Sequence, residues 1–187
     1  MSDATRNKIL KAAAKLVQDL GAARLTLAAA AARARVSKGG LLYHFPSKQR
    51  LIEGLVRRMI EQFEQCAAAA DDGEPGGFTR GYLRATLQDD SASSSGILAA
   101  VANDPALLKP LREAYAHWQK RLQKDGIDPA TATIVRLAAD GLWLSELIGV
   151  QPLKRALAAR LVERLEMATR GQPIDGHEGY QAWEECW

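Results

Sequence analysis

Apolar residues recur every three or four positions along nearly the whole chain, which is the spacing of helices with one buried face. In residues 7–21, "NKILKAAAKLVQDLG", Ile9, Ala13, Leu16, Val17 and Leu20 share a face, with Asp3 as a candidate cap and Gly21 as the stop. Thr26 is placed to cap a second helix through the alanines 28–32, the stretch 34–37 breaks it, and a short third helix opens at Ser37 and ends before Pro46. Ser47 is placed to cap a long fourth helix whose apolar face carries Leu51, Leu55, Met59, Phe63 and Cys66, with Ile52, Val56 and Ile60 beside it. The Asp, Gly and Pro cluster at 71–77 reads as a loop.

Five more helices are expected beyond that loop. Residues 78–88 form the fifth and 95–102 a short sixth. Residues 104–126 form the seventh, with proline at its first position and a kink at Pro110. The eighth spans 128–149 and carries Ile134, Leu137, Ala138, Leu142, Trp143, Leu147 and Ile148, and the ninth runs from Leu153 to Thr169. No strand-length alternation competes, and no internal repeat is visible, so the expected class is all-α. A length of 187 residues suits one core, or one core with a small module. The expected division is residues 1–50, residues 51–170 and a Gly-rich, acidic tail at 171–187 that Trp183 and Trp187 could dock.

Charge divides the chain in the same place. Residues 1–50 hold ten Lys or Arg against two acids, while the remainder holds fifteen against twenty. A basic module on an acidic body is the footprint of a protein that meets a polyanion at one end. No apolar run approaches the roughly 18–20 residues of a membrane span, and no charged stretch leads into an apolar one at the N-terminus, so a soluble, cytoplasmic protein is expected. Cys66 and Cys186 stand alone, outside any metal-ligand spacing.

The stretch "VSKGGLLYHFPSK", 36–48, is the one whose composition a core does not explain. Helix two, the turn at 34–36 and the third helix have the connection length of a helix-turn-helix. Gly39 and Gly40 would let the backbone of the third helix approach a groove closely. Thr26, Ser37, Ser47 and Lys48 fall at helix starts or first turns, where hydroxyls, ammonium groups and helix N-termini meet phosphates. Lys38, Tyr43 and His44 add further donors. A metal at His44 lacks a second ligand within helical reach, Ser37 lacks the elbow of a hydrolase nucleophile, and no phosphate-binding glycine loop is present, so no catalysis, cofactor or metal is expected.

These residues, preceded by "LTLAAAAARAR" and an amphipathic first helix, resemble the DNA-binding domain of the TetR family of bacterial repressors over about residues 5–52. "NDPALLKPLREAY" and "DGLWLSELIG" are similar to the family's ligand-binding and dimerisation domain. The resemblance implies a three-helix DNA-binding domain followed by a helical effector domain. It also implies a homodimer on palindromic double-stranded operator DNA, with helix four relaying ligand binding. Three positions depart from the family pattern. Arg35 stands where glycine is common, and is expected to touch phosphate. Ala30 stands where a branched aliphatic is usual, and Leu42 with Tyr43 replaces the common leucine and tyrosine order. Tyr43 is the aromatic expected at phosphate, with Leu41, Leu42 and Phe45 turned to the core.

Met59, Phe63, Tyr82, Tyr115, Trp118 and Trp143 lie on the elements that, by the same resemblance, surround an effector pocket, with Arg84, His117 and Asp140 as polar companions. Arg84 and His117 suit an anion, whereas Asp140 and Glu146 with Trp143 suit a lipophilic cation, and periodicity leaves both open. Leu153, Leu157, Leu161 and Leu165 form a four-residue stripe that needs another helix to cover it, and Gly141 would allow a close helix approach there. The expected function is a ligand-responsive transcriptional repressor. An effector-independent regulator or activator, or a helical interaction protein with a decayed DNA module, is the alternative.

Overall fold

A computed structural model describes residues 3–88, 94, 97, 98, 101, 104–150 and 153–172. Within these residues the chain is helical: α1 (Asp3–Leu20), α2 (Leu27–Ala34), α3 (Lys38–His44), α4 (Lys48–Ala69), α5 (Gly77–Leu87), α6 (Lys109–Leu122), α7 (Pro129–Ile148) and α8 (Arg155–Ala168). Single 3-10 turns at Ala22–Arg24 and Pro105–Leu108 join them. Most of the expected sixth helix, and the tail from residue 173 with Trp183 and Trp187, lie outside the described residues.

The side chains pack as two cores. The first holds Ile9, Leu10, Leu16 and Val17 of α1, Leu25, Ala30, Ala31 and Ala34 around α2, and Leu41 and Phe45 around α3. Leu51, Ile52, Leu55 and Val56 of α4 complete it, together with Ile97, Val101 and Leu107. The second core gathers Phe78, Tyr82, Leu83, Trp118, Leu122, Val135 and Leu165, and takes Ala67 from the far end of α4. Each of these large apolar side chains contributes roughly 1.5–3 kcal/mol by leaving water.

Small residues set the closest helix crossings. Ala13 on α1 and Ala30 on α2 are fully buried, so a crossing that usually carries a branched side chain is closed by alanines. A Cβ at Gly54 would stand 2.8 Å from Phe45 Cε1 and 3.0 Å from Leu10 Cδ2, so its absence lets the end of α3 and α1 both lie against α4. At Gly81 a Cβ would collide with the carbonyl of Ala67, which fixes how tightly α5 crosses α4.

Two expectations about helix ends change. Asp3 is the first residue of α1 rather than a cap outside it. Pro110 produces no kink: Asp104 caps the 3-10 turn, and α6 starts afresh at Lys109, leaving Pro110 in the first turn where its missing N–H costs no hydrogen bond. Asp128 caps α7 as its Asp-Pro sequence predicts, accepting from the Thr131 N–H at 2.8 Å. That N–H is the main reason the Asp128 carboxyl lies below its ordinary range.

The 71–77 loop is tied down. Arg80, 1% exposed, donates to both carboxylate oxygens of Asp72, to the Pro75 carbonyl at 3.1 Å and to Thr169 Oγ1 at 3.2 Å. Asp125 caps α5 by accepting from the Phe78 and Thr79 N–H groups. One guanidinium thus joins the loop after α4 to the end of α8. Replacing it with an apolar chain removes these bonds, takes the guanidinium donor from the Pro75 carbonyl and leaves Asp72 with only the Glu74 N–H and the more distant Arg170. Arg80→Met is expected to lower unfolding free energy by about 2–4 kcal/mol. Urea denaturation followed by circular dichroism measures this, and an unchanged midpoint would rule the network out as a stabilising feature.

Candidate DNA-binding surface and effector cage

The helix-turn-helix is built from three hydroxyl caps and one left-handed residue. Thr26 Oγ1 accepts from the Ala29 N–H at 3.0 Å, Ser37 Oγ from the Gly40 N–H at 3.0 Å and Ser47 Oγ from the Arg50 N–H at 3.2 Å. Each fixes the start of a helix and presents that N-terminus at the surface. Arg35 has φ 51° and ψ 49°, the left-handed turn that glycine adopts freely. The cost for a side-chain residue is roughly 1–2 kcal/mol. It permits the Val36 N–H to close back on the Ala31 carbonyl at 3.1 Å, turning the chain sharply into α3.

On α3 the sequence sorts itself by face. Leu41 and Phe45 point inward, while Tyr43 is 72% exposed, so an aromatic phenol stands in water on a basic surface. Its ring meets His44 edge to face at 5.1 Å. His44 Nε2 is buried and makes no hydrogen bond with the described residues. Lys38, Gly39 and Lys48 are exposed, and the space above Gly39 is open, so a groove could approach the α3 backbone there. Gly40 is half-buried, with Ser37 Oγ 3.2 Å from where its Cβ would be. Arg33 is committed elsewhere, pairing at 2.5 Å with Asp19 and so tying α2 to α1. Asp19 is held below the ordinary carboxylate range, first by the hydrogen bond from Lys15.

A second site lies between α4, α5, α6 and α7. Met59, Phe63, Tyr82, Tyr115, Trp118, Asp140 and Trp143 all border one cavity there. The rings pack on one another: Phe63 stands 4.6 Å from Trp118 and 4.9 Å from Tyr82, and Tyr115 lies 5.1 Å from Trp118. Glu64, facing outward, accepts from Trp118 Nε1 at 3.1 Å. Among the described residues of the lining, Asp140 is the charged one. Its Oδ1 accepts from the Tyr82 hydroxyl at 2.7 Å and from Tyr115 at 3.4 Å, and its Oδ2 from Arg136 at 3.0 Å. Burial raises the Asp140 carboxyl, and also pushes the Tyr115 phenol up to about 12 and Tyr82 higher still. The space left is about 40 Å³, which admits water but not a ligand of ordinary size, for which sites run to roughly 300–1,000 Å³.

Two of the polar companions expected at this cavity are elsewhere. Arg84 points away and pairs with Glu166 at 2.8 Å, and His117 is exposed on the outer side of α6. Both sit on the right helices but at the wrong angle: two residues beyond Tyr82, or one before Trp118, is a turn of roughly 100–200°. Ile60, Thr86 and Leu111 also line the cavity and were not singled out. Thr86 was legible, since it lies one helical turn after Tyr82. A broader cleft of about 370 Å³ separates α1 from α4, lined by Lys11, Lys15, Arg58 and Gln62 among others. It is open, and apolar side chains such as Leu55, Met59, Phe63 and Ile97 line it beside the polar ones.

The expected dimer stripe is redistributed. Leu165 is buried in the second core, Leu161 packs partly against that core, and Leu153 and Leu157 are exposed. On α7 the buried positions are the small Ala132, Val135 and Ala139, while Ile134, Leu137, Leu144 and Ile148 face out. Gly141 sits in that outer face with open space above it.

Capped helix N-termini and exposed donors around α2 and α3 form a DNA-reading module. The chain is a DNA-binding transcriptional regulator, and it belongs to the TetR family. Residues 9–55 match the family of bacterial regulatory proteins of tetR type, and residues 76–170 match the tetracyclin repressor-like C-terminal domain. The nucleoid occlusion factor SlmA of Marinomonas sp. (strain MWYL1) is 43% identical over 56 residues, which are 30% of this chain and 28% of that protein. Two solved structures of the multidrug binding protein EbrR are similar over most of both chains. The complex with malachite green is 29% identical with a TM-score of 0.61, covering 86% of this chain and 96% of that one. The complex with ethidium is 26% identical with a TM-score of 0.64, covering 86% and 98%.

Lys48 opens α4 beside the Ser47 cap and is exposed, as a phosphate contact requires. Lys48→Ala is expected to weaken binding to any duplex and to reduce the slope of log affinity against log salt by about 0.9. Fluorescence anisotropy on a labelled duplex across a salt series measures it, and an unchanged slope would remove Lys48 from the interface.

Proposed function

We propose that this chain is a ligand-responsive repressor that binds palindromic operator DNA as a homodimer in the cytoplasm and is released by a small-molecule effector. The observation that carries the reading is the sharing of α4. Its first turns are built into the DNA-binding core through Leu51, Ile52, Leu55 and Val56, and its next turns supply Met59, Ile60 and Phe63 to the aromatic cage. A ligand that prefers one position of Phe63 and Met59 biases the α4 orientation, and with it the DNA-binding state, by its differential affinity for the two. The similarity to EbrR, solved with malachite green and with ethidium, supports a small-molecule effector for a domain of this shape.

The outward face of α7 supports the dimer. Ile134, Leu137, Gly141, Leu144 and Ile148 recur at alternating steps of three and four residues, a stripe that a second copy of the same helix covers, with Gly141 allowing close approach. Leu153 and Leu157 extend the apolar surface toward α8. Two α3 helices held by such an interface would read two half-sites.

The reading is tested by retention of random genomic fragments at near-physiological salt. A single palindrome is the expected product, and recovery without shared sequence would overturn operator recognition. Leu137→Glu is expected to give a folded monomer by sedimentation and to lose operator affinity by roughly a hundredfold or more, because one half-site must then bind alone. A variant that stays dimeric would move the interface off this face.

A further inference from the structure

Resting on the effector reading of the same cage, the arrangement of its charged and aromatic groups determines which effectors it accepts. We propose that the cage selects flat, aromatic organic monocations, with the Asp140 carboxylate as their counter-charge and the surrounding rings as their walls.

Among the described residues, the cations that would have suited an anionic effector do not line the cavity: Arg84 is spent on Glu166, and His117 faces solvent. The described lining is one carboxylate, two tyrosines, two tryptophans, a phenylalanine, the Thr86 side chain, Met59 and two aliphatic side chains. Aromatic faces carry the negative side of the ring quadrupole, so the rings and Asp140 attract the same sign of charge. Arg136 bonds Asp140 from behind, at Oδ2, and does not itself line the cavity, whereas Oδ1 is the oxygen shared with the two tyrosine hydroxyls. A ligand cation therefore meets the carboxylate and the rings before it meets the guanidinium.

The walls also select the kind of cation. A compact ammonium would surrender a strong hydration shell for one carboxylate and apolar rings, which cannot replace it. A delocalised aromatic cation surrenders little hydration, and gains stacking on Phe63, Trp118 and Trp143. A neutral ring of the same shape gains the stacking alone and leaves Asp140 further desolvated. Room must be made for either. Met59, an unbranched and adaptable side chain outside the second core, is a side chain of the lining whose rotation would enlarge the space without unpacking that core.

The test is a titration of the full chain, without DNA, by N-methylacridinium and by the neutral N-methylacridone, followed by quenching of tryptophan fluorescence and by calorimetry. The cation is expected to bind at least about tenfold more tightly than the acridone. Asp140→Asn keeps an acceptor for Tyr82 and removes the charge; it should weaken the cation at least about tenfold while leaving the acridone within about twofold. Arg136→Met removes the competing positive charge and should tighten the cation by about threefold or more. Opposite signs for these two variants, each checked for native circular dichroism, are not produced by general loosening of the domain. Equal affinity for the two probes, no binding of the cation, or a cation affinity indifferent to both substitutions would overturn the charge assignment. Separately, the cation is added to the protein on its selected operator. Cation binding without release would refute the effector reading while leaving the site standing, and release by the acridone alone would do the reverse.

Discussion

Everything in this structure hangs on the fact that α4 belongs to two cores. A helix of 22 residues is about 33 Å long, enough to cross from one packed unit to another. Its sequence is apolar on the appropriate face at both ends: Leu51 to Val56 for the DNA-binding core, and Phe63 to Ala67 for the second. Because packed interiors resist continuous deformation, a displacement of α4 at one end has to be taken up at the other. Gly54 and Gly81 intensify this coupling, since both let neighbouring elements lie against α4 without an intervening side chain.

The two ends are anchored differently. Around α2 and α3 the anchors are short hydroxyl caps, a strained Arg35 and an alanine-lined crossing, a compact device that fixes helix starts at the surface. Around the second core they are ionic. Arg80 holds the loop after α4 to the end of α8, Asp125 caps α5, and Arg121 lies over the Phe78 ring at 3.8 Å. Between these anchors lies the aromatic cage, whose walls come from four helices. The stiff parts of the molecule are therefore where position matters, and the small, ring-lined cavity is where adaptable side chains are found.

Much of the geometry of the helix-turn-helix was legible because its chemistry is local. Thr26, Ser37 and Ser47 cap the helices that follow them by contacts within three residues, and the inward and outward sorting of Leu41, Tyr43 and Phe45 is a matter of helical angle. The cage was legible in part. Seven of the nine residues expected there line it, while Arg84 and His117 share the right helices but point elsewhere. Proximity in sequence placed them on the element; rotation about the helix axis decided their face.

The sequence by itself determined the all-helical class, the caps, the basic N-terminal module and the candidates for aromatic contact, since each depends on periodicity or on bonds within one helical turn. Tertiary structure decided what periodicity leaves degenerate. On α7 both faces are apolar, and only packing shows that Ala132, Val135 and Ala139 turn inward while Ile134, Leu137 and Leu144 turn out. Leu165 likewise belongs to the second core, although its spacing matches that of exposed Leu157. The charge balance of the cage was also a tertiary outcome. It depends on Arg84 finding Glu166 across 82 residues of chain, and on Asp140 meeting Tyr82 across 58. No local pattern carries that information, because such pairings exist only after the helices have packed.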